Sequence, residues 1–149
     1  MKNHIRDYAT AAFRFYSCNG KSSEKYKKKI YDEALEEYQR KQKCAGISCP
    51  TEAAIIRAER AVNEKLAEIK DMEAVELTVA ELRVKPQGRA IVQAIEIVYF
   101  KDADKELEKG DIHSRVHTAE IYIPASQRWI YNWLSKARKL FAEKRGLRV

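Results

Sequence analysis

Residues 124–146 read PASQRWIYNWLSKARKLFAEKRG, and this stretch contains a helix start, a helical apolar spacing and a helix stop. Ser126 is a residue type that caps helix N-termini through its side-chain oxygen. Gly146 suits the left-handed backbone that closes many helices. Between them, apolar side chains recur at steps of three and four, at Ile130, Trp133, Leu134, Ala137, Leu140 and Phe141. The stretch therefore predicts an amphipathic helix from the Ser126 cap to Arg145.

A shorter helix is predicted just before this one. Gly110-Asp111 is a stop-and-cap signal, so we expect Asp111 to cap a helix from Ile112 to about Ile121. Pro124 ends that helix, because the residue before a proline disfavours helical dihedrals. A short helix, a tight turn containing proline and a long capped helix form the layout of a helix-turn-helix. An ordinary hairpin of two helices has the same spacing and remains an alternative.

Charge favours the first of these two interpretations. The chain has 149 residues, with 29 Lys and Arg against 22 Asp and Glu, which gives a net charge of +7. Residues 126–149 contain seven of the basic side chains and Glu143 alone among the acids, so a charge of +6 falls on one predicted helix and its end. Such a concentration is typical of proteins that bind nucleic acid. A solvated basic helix face remains the simpler explanation of the charge by itself.

The basic helix would enter a DNA major groove by its first turns, as recognition helices do. The residues expected to read bases are Ser126, Gln127, Arg128, Tyr131 and Asn132. Arginine pairs with guanine, glutamine and asparagine pair with adenine, and tyrosine contacts a thymine methyl group or a phosphate. The residues expected to contact phosphates are Lys136, Arg138, Lys139, Lys144 and Arg145. The predicted partner is therefore double-stranded DNA.

The first half of the chain is also predicted to be helical. A helix over 4–17 is followed by a second over about 24–44, which Ser22 or Ser23 can cap. Residues 51–83 contain neither Gly nor Pro and have a sustained apolar stripe, which predicts a third helix of about 45–50 Å. This is longer than a globule of this size requires. The helix is therefore either broken near Asp71 or paired with a second copy of the chain in a homodimer.

A linker is predicted at residues 84–88, where Pro86 and Gly88 coincide with a change in composition. It would separate a helical region at 1–85, for oligomerisation or partner contact, from a DNA-binding domain at 86–149. Residues 90–100 are very apolar; their β-branched side chains suit a strand, but their spacing favours a helix. The predicted fold class is all-α, with a long central helix before a C-terminal helix-turn-helix.

Several function classes lack a signature in the sequence. No apolar run is long enough for a membrane span, and the first twenty residues are not a secretory signal, so a cytoplasmic protein is expected. Cys18, Cys44 and Cys49 are then expected to be reduced thiols. A phosphate-binding glycine loop, a nucleophile elbow and a zinc-protease helix are all missing from the sequence. We therefore predict neither an enzyme nor a cofactor.

Two pairs of potential metal ligands occur in the sequence. Cys44 and Cys49, and likewise His113 and His117, have acceptable zinc-ligand spacing, but 63 residues separate the two pairs. The acidic run at 102–106 is followed by Leu107 at the position where a calcium loop requires glycine. The sequence therefore predicts no metal site.

The chain resembles phage-encoded transcriptional activators of the RinA/ArpU type, which in turn look like the C-terminal DNA-binding domain of bacterial sigma factors. Residues 123–147 carry the resemblance through Ser126, Ile130, Trp133-Leu134 and the run at 136–140. The segments IRDYATAAFRFY at 5–16 and EAAIIRAERAV at 52–62 are also similar to that group. The resemblance implies activation of phage late or packaging genes in a bacterial host, with RNA polymerase as a partner.

These observations predict a sequence-specific DNA-binding regulator. One alternative is an architectural or accessory factor in phage packaging or in excision of a mobile element. A second is a protein–protein adaptor built on the helix at 51–83, with a basic tail that serves only solubility. The first two bind DNA in a salt-dependent way and the third does not.

Overall fold

The computed structural model describes residues 1–41 and 51–148, and within these ranges it contains helices and turns but no strand. The all-α prediction is confirmed, including a helical segment over 90–100. The elements in chain order are α1 (Asn3–Cys18), α2 (Ser23–Lys41), α3 (Glu52–Glu64), α4 (Leu66–Arg83), α5 (Gly88–Ile95), a π-helical turn (Glu96–Phe100), α6 (Asp111–Tyr122) and α7 (Gln127–Arg145). Residues 42–44 of the predicted second helix lie outside the described residues.

The predicted end signals of α7 are confirmed. The side-chain oxygen of Ser126 accepts a hydrogen bond from the Trp129 N–H at 3.4 Å. Gly146 has a left-handed φ of 78°, and the Leu147 N–H returns to the carbonyl of Ala142 at 2.8 Å. This pair of features is a Schellman closure, which satisfies carbonyl groups that the helix end would otherwise leave unpaired.

The two other predicted caps had different outcomes. Ser22 caps α2 as expected, because its Oγ accepts a hydrogen bond from the Lys25 N–H at 3.3 Å. The prediction that Asp111 is the cap of α6 was wrong. Gly110 is the cap residue, with a φ of 88°, and Asp111 is the first helical residue. Its carboxylate accepts a hydrogen bond from the Glu108 N–H at 2.7 Å and so closes the preceding turn.

The segment 51–83 is two helices, and the predicted break near Asp71 was wrong. The chain leaves helical geometry at Lys65, where φ is −102° and ψ is 13°. Asp71 lies inside α4, where its carboxylate contacts side chains of two other helices rather than the backbone. Much of the apolar stripe predicted to pair two copies of the chain is instead buried within one chain, at Ala58, Val62, Ile69 and Met72.

The main core joins both halves of the sequence. It contains buried side chains of α1, α4, α5, the π-helical turn, α6 and α7. At its centre, Phe13 of α1 stacks on Tyr99 at a centroid distance of 5.4 Å and contacts Phe141 of α7 at 5.7 Å. None of these three residues is more than 1% exposed. The core thus crosses residue 85, where the sequence predicted a boundary between two domains.

The predicted linker is a tight corner between α4 and α5. Gln87 adopts a left-handed φ of 63°, and α5 begins at the buried Gly88. A Cβ atom at position 88 would fall against the carbonyl oxygen of Leu82 and 2.7 Å from that of Arg83. Glycine is therefore required here by the close approach of the two helices rather than by its dihedral angles.

We expect Gly88→Ala to lower the free energy of unfolding by about 1–3 kcal/mol, because the new methyl group meets backbone that cannot move independently. Urea denaturation followed by circular dichroism measures the change. Gln87→Gly is the matched control at the same corner, since glycine adopts its dihedral angles freely. Equal stability of Gly88→Ala and the wild type would contradict the close packing of α4 on α5.

Candidate nucleic-acid interface

α6 and α7 are joined by the four residues 123–126, and several contacts define this turn. Ile123 is 2% exposed and enters the core. The Ala125 N–H donates to the carbonyl of Ile123 at 2.7 Å. The carboxylate of Glu120 on α6 accepts a hydrogen bond from the Gln127 N–H at 3.0 Å, and this carboxylate at the start of α7 complements the helix dipole. The start of α7 is therefore held firmly against α6.

One face of α7 points away from the core. It consists of Arg128, Asn132, Lys136 and Lys139, which are exposed and spaced at steps of four, four and three; we call these four residues the outward stripe. The opposite face of α7 contains the buried residues Ile130, Leu134, Ala137 and Phe141. Among the described residues, no ion pair involves a member of the outward stripe. Its three cations are therefore available to an anionic partner.

Three other predicted phosphate contacts make contacts within the chain instead. Lys144 forms an ion pair with Glu81 of α4 at 2.9 Å, and this contact lowers the pKa of Glu81. Arg145 donates from Nε to Asp71 of α4 at 2.7 Å. Arg138 donates from Nη1 to the hydroxyl of Tyr99 at 2.7 Å. These three residues flank the outward stripe and attach α7 to the rest of the molecule.

Asp71 joins three helices through a single carboxylate. The Tyr8 hydroxyl of α1 lies 2.7 and 2.8 Å from its two oxygens, and Arg145 of α7 contacts the first of them. Burial and the hydrogen bond to Asp71 raise the pKa of Tyr8, so the phenol stays protonated as a donor. The same carboxylate raises the pKa of Arg145. The C-terminal turn of α7 is thus fixed to α1 and α4.

Of the predicted base-reading residues, some face outward and others contact the rest of the chain. Arg128 and Asn132 belong to the outward stripe. Ser126 is exposed, but its hydroxyl oxygen caps α7. Gln127 is half-buried at the turn. The Tyr131 hydroxyl lies 3.0 Å from Nδ1 of His113, so this ring faces α6.

Three exposed apolar side chains of α6 and α7 are not among the contact residues predicted from the sequence. Trp129 is 58% exposed, and Ile121 and Tyr122 at the end of α6 are 74% and 66% exposed. The apolar spacing gives a signal for Trp129, because this residue falls outside the face formed by Ile130, Trp133 and Leu134. Ile121 and Tyr122 end α6 and Trp129 lies in the first turn of α7, so all three lie near the turn between these helices. We call Ile121, Tyr122 and Trp129 the apolar rim.

The described residues were also compared with the requirements of a membrane-spanning helix and of a metal site. Within residues 1–41 and 51–148 no helix is both long and apolar enough to cross a membrane. The same residues contain no cluster of three potential metal ligands. Cys44 and Cys49 lie outside the described residues. His117 lies 3.4 Å from the Glu120 carboxylate, and His113 contacts Tyr131.

No protein-family model, no curated protein and no solved structure matches this chain.

We expect Arg145→Ala to lower the free energy of unfolding by about 1–3 kcal/mol, because it removes a charge-assisted hydrogen bond to a mostly buried carboxylate. Thermal or urea unfolding measures the loss. Arg128→Ala removes the same side chain from the exposed stripe and should change stability by no more than about 0.5 kcal/mol. If both variants were as stable as the wild type, the contact with Asp71 would have no structural role.

Proposed function

We propose that the protein is a sequence-specific regulator that binds double-stranded DNA, with α6 and α7 as a helix-turn-helix. The observation that carries the proposal is the outward stripe, which presents base-reading and phosphate-binding side chains on the free face of a helix that begins at a tight turn. The proposal retains DNA as the partner that the sequence predicted.

The arrangement of the stripe suits a major groove. Arg128 and Asn132 lie in the first two turns of α7, where a recognition helix approaches base edges. Lys136 and Lys139 follow them, where a helix leaving the groove meets the phosphate backbone. The stripe from residue 128 to 139 is about 16 Å long at 1.5 Å per residue. All four side chains can therefore contact one DNA segment together.

The proposal assigns different roles to the basic residues of α7. Lys136 and Lys139 would contact phosphates directly. Arg138, Lys144 and Arg145, which the sequence also placed on phosphates, would orient α7 through Tyr99, Glu81 and Asp71. Ser126 and Gln127 would hold the turn, and Tyr131 would support α6 through His113. The effective charge offered to DNA is thus smaller than the +6 of the segment.

The biological role is proposed on the resemblance to phage transcriptional activators. It would be activation of late or packaging genes in the cytoplasm of a bacterial host, with RNA polymerase as a partner. The apolar rim supports contact with a second protein, because all three of its large apolar side chains are exposed. A homodimer remains part of the proposal, and a palindromic site from selection on random DNA would support it.

Two alternative functions make different experimental predictions. An architectural or accessory factor in packaging or excision would bind DNA but would not activate a reporter gene in the presence of host polymerase. A protein–protein adaptor, which the apolar rim favours, would give no salt-dependent shift of DNA in a gel. A gel shift on random duplex followed by site selection and a reporter assay separates the three functions.

Arg128→Ala tests base reading. On the site recovered by selection, we expect a loss of about 1–3 kcal/mol in binding free energy and relaxed preference at one base pair. Fluorescence anisotropy with the selected duplex and its single-base variants measures both effects. An equal loss on selected and random duplex would contradict the assignment of Arg128 to a base.

Lys139→Ala tests phosphate contact. We expect weaker binding to all duplexes alike and a slope of log K against log salt that is smaller by about one. Lys144→Ala is the matched control, because it removes the same charge from a lysine already paired with Glu81. Its salt slope should stay closer to that of the wild type. The same change in slope for both variants would show that the stripe is not the principal contact.

A further inference from the structure

A broad groove borders α7 on a face that differs from the outward stripe, because α7 lines it with Tyr131 and Arg138 rather than with a member of the stripe. It is bordered by α1, the loop after the π-helical turn, α6 and α7, and its volume is about 1040 Å³. Ligand pockets in proteins commonly measure about 300–1,000 Å³. Its apolar lining includes Ala11, Phe15, Ala103, Leu107 and Ile112. The groove is therefore large enough for a small molecule with a substantial apolar part.

Arg14 forms part of the groove wall and is 7% exposed. Its Nη2 donates to the carbonyl oxygens of Asp102 and Lys105, the first at 3.1 Å, and so holds the loop beside the groove. Its Nη1 is buried and has no hydrogen-bond partner among the described residues. Burial lowers the pKa of Arg14, and the nearby positive charge of Arg115 lowers it further. A buried positive charge is costly, and an anionic group in the groove would offset that cost.

A second arginine lines the same groove from α7. Arg138 donates from Nη1 to Tyr99, whereas its Nε is buried and lacks a partner among the described residues. Tyr99 also lines the groove. Two guanidinium groups, each with an enclosed N–H that lacks an acceptor among the described residues, therefore border the same groove.

The charges around the groove indicate the charge of its ligand. Its lining contains the cations Arg6, Arg14, Lys105 and Arg138 and the anions Asp7, Asp104 and Glu106. Arg6 lies 3.7 Å from Asp7, so these two residues largely balance one another. Four cations and three anions leave the groove with one net positive charge. A ligand with a single negative charge neutralises it, whereas a ligand with two would leave one negative charge unbalanced.

We propose that this groove binds an amphipathic monocarboxylate, with its apolar part against Phe15, Leu107 and Ile112 and its carboxylate on Arg14 and Arg138. The proposal does not rest on DNA binding, because the groove and the outward stripe lie on different faces of α7. It assigns the chain a small-molecule site beside the same helix.

The probe is decanoate, titrated into the full chain without DNA by calorimetry. We expect saturable binding of one molecule per chain. Decyltrimethylammonium has a chain of equal length and the opposite charge, and it should bind about tenfold more weakly or not at all. Arg14→Gln should weaken decanoate about tenfold by removing a charged donor.

Arg14 also holds the loop beside the groove, so its replacement could act through that loop. A second variant therefore tests the groove and leaves Arg14 in place. Ala11→Trp places a large side chain in the groove from an exposed position on α1 and should abolish decanoate binding. Ala53→Trp, at an exposed alanine of α3, is the matched control and should bind decanoate as the wild type does. Circular dichroism checks that both variants are folded.

Three results would overturn the proposal. The first is no saturable decanoate binding to the wild type, and the second is equal binding of decanoate and decyltrimethylammonium. The third is unchanged binding to folded Ala11→Trp, which would place the ligand elsewhere. Failure here would leave the DNA proposal intact, because the gel shift and the calorimetry share no component other than the protein.

Discussion

The contact of Phe13 with Tyr99 and Phe141 lies at the centre of the core that positions α1, α4, α5, α6 and α7. These rings come from α1, the π-helical turn and α7, and all are essentially inaccessible to solvent. Truncation of a buried aromatic ring typically costs about 3–5 kcal/mol, so each ring contributes a large fraction of the stability of a small domain. Tyr99 also accepts the hydrogen bond of Arg138, and Phe141 lies one turn before Arg145. The candidate DNA-binding helix is thus oriented by a core that includes α1.

The basic residues of α7 illustrate why total charge describes an interface poorly. Lys139 and Lys144 have the same side chain and lie five positions apart on one helix. The first faces outward, whereas the second lies 2.9 Å from Glu81. Because the helical repeat is 3.6 residues, these positions lie on different sides of α7. Orientation divides one charged segment into a part that can bind an external anion and a part that stabilises the fold.

Local signals in the sequence predicted much of the fold. Ser126, Gly146 and the apolar spacing between them define α7 almost to the residue. The break at Lys65 has neither Gly nor Pro to mark it, so it could not be read from the sequence. Within the candidate site, residue type and spacing predicted ten contact residues, and only the structure separates the exposed Arg128, Asn132, Lys136 and Lys139 from those that contact the rest of the chain. The partner of Arg145 was not predictable, because Asp71 lies 74 positions earlier and only tertiary packing brings the two together.

The separation of Phe13 and Phe141 along the sequence also has a consequence for biosynthesis. A ribosome makes α1 long before it makes α7, and domains generally fold as units during or after translation. Until α7 emerges, the apolar faces of α1 and α4 lack the side chains that cover them. Contacts between distant segments also slow folding, because closing a long loop costs entropy before the contact forms. The nascent chain therefore lacks part of the cover of α1 for most of its synthesis and part of the cover of α4 for the last part of it. A premature stop within α7 would leave the earlier helices without a completed core.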